Sequence, residues 1–309
     1  MSELTLVTSF FDIGRNEWQG FSHGNEQYVS YFKHWARMKN KLIIYAEPKM
    51  IDEIQSVREN YGLLDRTSII PISDVEQIDP ELYDALRTAM IQKESWRFHK
   101  RLINPESWNY HYNYIMALKI FWVKDAIARG LTDGMSAWID FGYDHGGQDF
   151  PYSEDFDFLW QYDFSHNIHL FQKKELDSKP LFRIVQEMPV YFCGAPVIAP
   201  DDMWENFWLE IRRAALVLAE CGLADDDQTL TLMAYRRHPE WFQLHKIIYW
   251  GQALHDYGGQ SLRVRPPKKK TAPALHKWNH QLKDYLKEKR KELDIWHRKG
   301  RHIEKQFFK

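Results

Sequence analysis

The sequence lacks the features of a secreted, disulfide-bonded or membrane-spanning protein. Its 309 residues include only two cysteines, Cys193 and Cys221, which give neither a disulfide framework nor a cysteine-based metal site. No uninterrupted apolar stretch reaches the roughly 18 residues that a transmembrane helix needs. The first apolar run, residues 4–10, follows no basic segment of the kind that begins a signal peptide. We therefore expect a protein of the reducing cytoplasm, either soluble or lying on a membrane surface.

The common nucleotide-binding signatures are also missing. The sequence contains neither a Walker A motif nor GxGxxG. Residues 140–142 read Asp-Phe-Gly, as in the magnesium loop of protein kinases, but no glycine-rich loop or HRD motif accompanies them. If the protein binds a nucleotide, it must use a different arrangement of residues.

Charge is distributed unevenly along the chain. The net charge is −2, yet residues 263–309 carry +11 and residues 1–262 carry −13. A hydrophobic content of 44% and an aromatic content of 15% exclude a disordered chain, and the length allows one large domain or two. We therefore predict a folded acidic domain over residues 1–262 and a basic tail over residues 263–309, which would bind a polyanionic partner.

Apolar runs alternate with helical patterns near the start of the chain. Residues 4–10, 41–46 and 68–72 read as buried strands, and helices are expected between them at 26–38 and 50–60. This alternation predicts an α/β fold with parallel strands and covering helices. Further helices are expected over 80–98, 112–129 and 200–221 and after Gln228, and further strands before Asp140 and within 167–198, including 181–186.

Residues 138–145, WIDFGYDH, form the most informative segment for function. The apolar residues 137–139 read as a buried strand that ends at Asp140 and passes into a glycine-containing loop with Asp144. In an α/β protein, ligands bind at the carboxyl ends of strands, and a carboxylate there can hold a divalent cation that carries a diphosphate. The alternative is a strand-end aspartate that only caps a turn.

A run of three aspartates, Asp225 to Asp227, precedes the helix expected after Gln228. We predict that Asp227, or failing that Asp226, is a general base that accepts the proton of an attacking hydroxyl. The alternative is that the aspartates cap the helix and complement its dipole. A helix cap needs a single aspartate, so the other carboxylates of the run are available for catalysis.

The order of these features resembles a GT-A glycosyltransferase, in which a strand-end aspartate holds Mn²⁺ or Mg²⁺ against a nucleoside diphosphate. More specifically, the chain resembles the HtrL/YibB family of bacterial proteins, which is associated with lipopolysaccharide-core and surface-glycan gene regions. The resemblance covers roughly residues 1–260 and is carried by residues 4–15, 109–127, 138–143 and 226–233. It implies a GT-A-like, Rossmann-like mixed sheet flanked by helices, here with a basic helical C-terminal extension.

The resemblance also implies roles for individual residues. Asp140 and Asp144 would hold Mn²⁺ or Mg²⁺ against the donor diphosphate, although Gly142 replaces the second aspartate of the usual DXD pattern and metal-free catalysis stays open. Lys119 would reach the donor phosphates, with a solvated lysine on a helix face as the alternative. The donor-binding residues would be Thr8, Ser9, Phe10, Asp12, Arg15, Arg66, Lys119, Asp140 and Gly142, and the acceptor-binding residues Gly194 and Gln228.

The basic tail has the pattern of an amphipathic helix over 275–305. Apolar residues recur three, four and seven positions apart, among them Trp278 and Trp296, with lysines and arginines between them. Such a helix is typical of proteins that lie on anionic membranes. The alternatives are a helix packed on the domain and a solvated charged face. Nucleic-acid binding is not expected, since no known module accompanies the charge.

These features together predict a glycosyltransferase at the cytoplasmic face of the inner membrane. It would move a sugar from a nucleotide-sugar donor, expected to be a UDP-sugar, to a lipopolysaccharide-core or other surface-glycan acceptor. We expect inversion with an aspartate base, although a retaining reaction stays open. The alternative is a non-catalytic carbohydrate- or lipid-binding protein on a degenerate transferase fold, and a nucleic-acid-binding protein is a third class.

Overall fold

The computed structural model describes residues 3–18 and 24–266, and within these residues seven strands form one sheet. The strands are short, and most of them coincide with the apolar runs of the sequence. They are β1 (Thr5–Phe10), β2 (Leu42–Ala46), β3 (Thr67–Pro71), β4 (Met135–Trp138), β5 (Ile168–Gln172), β6 (Val197–Pro200) and β7 (Phe242–Lys246).

The sheet is mixed, with one strand reversed. In the order β3-β2-β1-β4-β6-β5-β7, β6 runs antiparallel to both of its neighbours, and the other neighbouring pairs are parallel. Leu6 pairs with Leu42 on one side and with Ala137 on the other, so β1 lies in the interior of the sheet. The predicted α/β fold with a mixed sheet, which the GT-A-like resemblance implies, is confirmed.

Nine α-helices accompany the sheet within the described residues. Several begin at residues that suit a helix start: Asp79, Asn109 and Asp226 each accept a hydrogen bond from a backbone N–H of the first turn, and Pro80 occupies the first helical position. The helices are α1 (Asn25–Trp35), α2 (Ile51–Glu59), α3 (Pro80–Met90), α4 (Lys93–Phe98), α5 (Tyr110–Ala128), α6 (Leu181–Glu187), α7 (Trp204–Glu220), α8 (Asp227–Arg237) and α9 (Gln252–His255).

Two buried cores lie on the two faces of the sheet. Successive residues of a strand point to opposite faces, so Val7 packs in one core with Leu118 and Trp122 of α5, and Leu6 packs in the other with Phe32 of α1. Helix α5 lies between the sheet and the helices α3 and α7, and it is apolar around most of its circumference. Two polar side chains of α5, those of Asn113 and Lys119, are buried with its apolar residues.

Three parts of the predicted secondary structure are wrong. The strand predicted over 181–186 is the helix α6, which begins after Pro180, because a short apolar run does not distinguish a strand from a buried helix. The single helix predicted over 80–98 is divided into α3 and α4. Strand β7 has no counterpart among the predictions, since only Phe242 of its five residues is buried and no alternating pattern marks it.

The described start of the basic tail is bound to the domain. Arg263 Nη2 lies 2.7 Å from Asp155 Oδ1, and the Arg265 backbone N–H donates to the Asp149 carbonyl over 2.7 Å. The predicted amphipathic helix over 275–305 lies outside the described residues, so it stays a prediction, as does the domain boundary at residue 263. None of the described helices is long and apolar enough to cross a membrane.

Candidate functional site

A cleft of about 490 Å³ opens at the carboxyl ends of β1 and β4. Ser9 and Phe10 line it from the end of β1, and Asp140 lines it two residues after β4. Because β6 is antiparallel, its amino end lies at the same edge, and Gly194 borders the cleft just before that strand. The amino end of α8 contributes Asp227. The site therefore lies where open α/β sheets bind their ligands.

Lys119 joins the two predicted halves of this site. Its Nζ lies 3.0 Å from Asp140 Oδ1 and 3.1 Å from Asp227 Oδ2. The lysine side chain is 6% exposed, whereas the side chain of Asp140 is 42% exposed. Since α5 packs between the sheet and α7, the lysine reaches the cleft from within the protein. The alternative of a solvated lysine on a helix face is therefore wrong.

Burial and charge act in opposite directions on the pKa of Lys119. Burial alone would lower this pKa, but the carboxylates of Asp140 and Asp227 outweigh burial and raise it. The ammonium is thus charged at neutral pH. The Trp138 indole N–H also donates to Asp140 Oδ1, over 2.9 Å, so a single carboxylate oxygen receives both the indole and the ammonium.

The three consecutive aspartates at the start of α8 have different partners. Asp226 caps the helix and accepts from the Gln228 backbone N–H over 3.1 Å. Asp225 is buried and accepts from the Thr229 hydroxyl over 2.8 Å. The capping alternative thus holds for Asp226, while Asp227 faces Lys119 and the cleft.

Burial raises the pKa of Asp226 and of Asp227 to about 7. Lys119 opposes this rise in both groups, and the charge of Glu106 adds to it at Asp226. Burial also raises the pKa of Asp225 well above its ordinary value. A carboxylate whose pKa lies near neutrality is well matched to accepting a proton at physiological pH.

Two predicted glycines lie where a side chain would collide. A Cβ placed on Gly194 would lie 2.7 Å from Asp227 Oδ2 and 3.2 Å from Lys119 Nζ. A Cβ placed on Gly142 would lie 3.0 Å from the ring of Tyr28. The missing side chain of Gly194 thus allows the backbone to lie close to the Asp227–Lys119 pair. The missing side chain of Gly142 leaves the space that the ring of Tyr28 fills.

Aromatic rings surround Arg15 in the cleft. Its guanidinium carbon lies 4.9 Å from the ring centre of Tyr28, 5.5 Å from that of Tyr112 and 5.6 Å from that of Trp18. The guanidinium also donates to the Tyr28 hydroxyl. Cation–π contacts of this kind hold a positive charge in place without neutralising it. Arg15 lines the cleft, where the sequence placed a donor-binding residue.

Three predicted donor residues lie away from the cleft. Thr8 is fully buried within β1, and Asp12 accepts from Asn25 Nδ2 over 2.8 Å and lines a separate cavity. Arg66 precedes β3, which places it at the amino end of that strand, where it donates to Glu3. For Arg66, proximity to a strand in the sequence did not reveal which edge of the sheet the residue occupies. Gln228, by contrast, does line the cleft.

Asp144 borders the cleft, but its side chain is turned into the following loop. It is 1% exposed, and its oxygens accept the backbone N–H groups of Asp149, over 2.6 Å, and of Phe150, over 3.2 Å. Burial raises its pKa to about 7. Within residues 3–18 and 24–266, no group of three or more His, Cys, Asp or Glu side chains is placed to hold a metal ion. Asp144 therefore does not complete the predicted Mn²⁺ or Mg²⁺ site with Asp140.

Some side chains of the cleft were not found from the sequence. Glu106 lines it, burial raises the pKa of this carboxyl, and Asn104 Nδ2 donates to it over 2.8 Å. Trp250 and Tyr112 line the cleft from distant parts of the chain. Only Tyr112 gave a signal, since it falls within a segment that carries the family resemblance. A glutamate in a short turn has no pattern that marks it.

Fold and site together define an α/β protein with an acidic cleft and a buried lysine at the carboxyl edge of its sheet. The chain belongs to the HtrL_YibB family, described as bacterial protein of unknown function, whose sequence model matches residues 2–255. The family predicted from resemblance is thereby confirmed. Protein HtrL of Escherichia coli (strain K12) is 28% identical in an alignment of 270 residues, which covers 80% of this chain and 88% of that protein.

Two solved structures are similar to this chain at low sequence identity. Mouse xyloside xylosyltransferase 1 in its apo form matches 84% of this chain and 93% of its own, with 13% identity and a TM-score of 0.41. The PaToxG glycosyltransferase matches 77% of this chain and 70% of its own, with 13% identity and a TM-score of 0.37. Similarities at this level carry no argument about activity, which has to come from the cleft.

Proposed function

We propose that this protein is a glycosyltransferase that moves a sugar from a nucleotide-sugar donor to a glycan or glycolipid acceptor. The observation that carries the proposal is the position of Lys119, 3.0 Å from Asp140 and 3.1 Å from Asp227 in one cleft. A cation for a leaving diphosphate and a carboxylate for an attacking hydroxyl thus lie side by side. An inverting sugar transfer uses both groups at the same anomeric carbon.

The donor half of the site lies between β1, β4 and Arg15. We propose that the nucleoside lies against Ser9 and Phe10 at the end of β1, with its diphosphate directed toward Lys119. Arg15, held by aromatic rings, adds a second positive charge in the same cleft. Together the two cations would offset the charge that develops on the diphosphate as it leaves.

The acceptor half is the amino end of α8 with Gly194 and Gln228. The acceptor hydroxyl gives its proton to Asp227 while its oxygen forms a bond to the anomeric carbon. The bond from that carbon to the diphosphate oxygen breaks, and the diphosphate takes the electron pair. The two oxygens lie on opposite sides of the carbon, so the reaction inverts its configuration. The pKa of Asp227, raised to about 7 by burial, supports this role.

For the acceptor we propose a lipopolysaccharide-core or related surface glycan, reached from the cytoplasmic face of the inner membrane. The excess of 11 positive charges over residues 263–309 supports contact with an anionic membrane surface. The family resemblance supports the choice of glycan. A UDP-sugar is the first donor to test.

The experiment is a thermal-shift screen of nucleotide sugars followed by transfer and hydrolysis assays with the stabilising donors. We expect Asp227→Asn to lower turnover by roughly 10² to 10⁴-fold, as for loss of a general base. Asp140→Asn tests the donor half in the same assays. Asp133→Asn, at an exposed residue paired with Lys41, is the matched control.

Two results would contradict the proposal. Full transfer activity in both Asp140→Asn and Asp227→Asn would show that the site is elsewhere. No stabilisation by any nucleotide sugar, together with stabilisation by free oligosaccharides, would favour the non-catalytic carbohydrate-binding alternative.

A further inference from the structure

The question left open at the cleft is which cation faces the donor diphosphate. A divalent ion such as Mg²⁺ needs oxygen ligands in a nearly octahedral arrangement and takes one or two carboxylates from the protein. The residues after β4 supply little of this. Asp140 Oδ1 already receives the Trp138 indole N–H at 2.9 Å and the Lys119 ammonium at 3.0 Å.

The neighbouring positions do not complete a metal site either. Gly142 has no side chain, and a carboxylate introduced there would have to displace the ring of Tyr28, which lies 3.0 Å from the position of a Cβ. The oxygens of Asp144 accept the backbone N–H groups of Asp149 and Phe150. Both oxygens of Asp144 and one oxygen of Asp140 are therefore engaged by other donors, which leaves a metal only the second oxygen of Asp140 from the two carboxylates that sequence analysis assigned to it.

Lys119 is placed so that its positive charge can face the diphosphate of the donor. An ammonium has three N–H bonds, and the contacts with Asp140 and Asp227 require two of them, so the third can bind an oxygen in the cleft. The lysine is buried, and electrostatic interactions are stronger there than in water. Its two carboxylate partners hold the side chain in one position, so no ordering is needed when a ligand arrives.

We infer that the Lys119 ammonium takes the place of a divalent cation and binds the donor diphosphate directly. This inference rests on the proposed function and adds the class of cation to it. The lysine donates its remaining N–H to a phosphate oxygen and stabilises the diphosphate as the bond to the sugar breaks. Asp140 positions the ammonium, and Asp227 keeps its role as proton acceptor.

The test is isothermal titration calorimetry of the full-length protein with UDP and with inorganic diphosphate, in EDTA and in Mn²⁺. We expect both ligands to bind in EDTA, with dissociation constants within about twofold of those in Mn²⁺. Lys119→Met should weaken binding of both by at least about tenfold, as expected for a lost hydrogen bond between charged groups. Lys124→Met is the matched control, since Lys124 lies on the same helix and pairs with Glu205.

The metal comparison on the unaltered protein decides the question even if Lys119→Met does not fold. The double variant Lys119→Met/Asp227→Asn, which leaves fewer charges unpaired, gives a second measurement of the lysine. Binding that requires Mn²⁺ would overturn the inference and leave the proposed glycosyltransferase standing. If UDP does not bind the unaltered protein in either EDTA or Mn²⁺, both the proposed function and the inference are overturned.

Discussion

We propose Asp227 rather than Asp226 as the general base because Asp227 faces Lys119 and the cleft and does not cap α8. Asp226 already caps α8, and Asp227 is placed 3.1 Å from Lys119 with only a small part of its side chain exposed. Burial favours its neutral form, while the lysine favours the charged form. The balance leaves a carboxyl group that changes its charge near neutral pH.

This balance predicts how activity depends on pH. Asp227 must be ionised to accept a proton, and its pKa is raised to about 7. We therefore expect kcat/KM to fall by about tenfold per pH unit below pH 7 and to level off above it. The measurement is kcat/KM between pH 5.5 and 8.5. A rate that stays constant down to pH 5.5 would contradict the assignment, and Asp227→Asn should lose this pH dependence along with most of the activity.

Gly194 is predicted to be intolerant of even a methyl group. In Gly194→Ala the new Cβ would lie 2.7 Å from Asp227 Oδ2 and 3.2 Å from Lys119 Nζ, so one of these groups must move. We expect kcat to fall by roughly 100-fold, because displacement of a reacting group by about 1 Å has effects of that size. Steady-state kinetics would measure this change.

The control for this substitution is Gly24→Ala. Gly24 has an ordinary negative φ of −73°, and nothing lies within 4 Å of a Cβ placed there. Its activity should equal that of the unaltered protein. Full activity in Gly194→Ala would show that the contact between Asp227 and Lys119 has no part in turnover.

At the scale of elements, α5 positions the lysine of the site. The helix runs from Tyr110 to Ala128, with the Asn109 side chain accepting the Tyr112 backbone N–H over 2.9 Å at its start. Because α5 packs between the sheet and α7, Lys119 is held at the carboxyl ends of β1 and β4. A long apolar helix thus serves as the support for one buried charge.

We predict that Asn109→Ala destabilises the protein by about 1 kcal/mol, since it removes the cap of α5. Urea unfolding followed by circular dichroism would measure the change in free energy of unfolding. Asn109→Ser should recover most of the loss, because serine caps helices nearly as well as asparagine. Equal stability of the alanine and serine variants would show that the cap contributes little here.

At the scale of the whole molecule, charge is distributed unevenly along the chain. Residues 1–262 carry −13 and residues 263–309 carry +11. Of the basic segment, the described residues Arg263 and Arg265 contact the rest of the protein: Arg263 pairs with Asp155, and Arg265 donates to the carbonyl oxygens of Gly147 and Asp149.

Removal of residues 267–309 is predicted to reduce flotation with vesicles that contain anionic lipid. The reason is the loss of positive charges, which attract the anionic surface at low salt and do so less at high salt. Flotation at two salt concentrations, with zwitterionic vesicles as the control, measures the effect. The truncation keeps Arg263 and Arg265, so the domain retains its contacts. Flotation equal to that of the full chain would contradict a membrane role for the tail.

The sequence alone determined the features that depend on local patterns. Alternating apolar runs and helical spacings predicted β1, β2, β3 and the helices around them, and the aspartate runs marked two positions at which chemistry was expected. The strands β1 and β2 were found because strands that are buried on both faces form continuous apolar runs, and the helices were found from the spacing of their apolar residues. They failed at 181–186, where the apolar run is too short to show a period, and at β7, which is mostly exposed.

Only the tertiary structure decided which of these residues meet. Lys119 is separated from Asp227 by 108 positions along the chain, yet packing of α5 brings their charged groups to 3.1 Å. The direction of β3 placed Arg66 at the opposite edge of the sheet, and the loop after β4 turned Asp144 toward backbone N–H groups of that loop. Local pattern fixes which residues are buried, but the direction of each strand and the layering of helices fix which charges face one another.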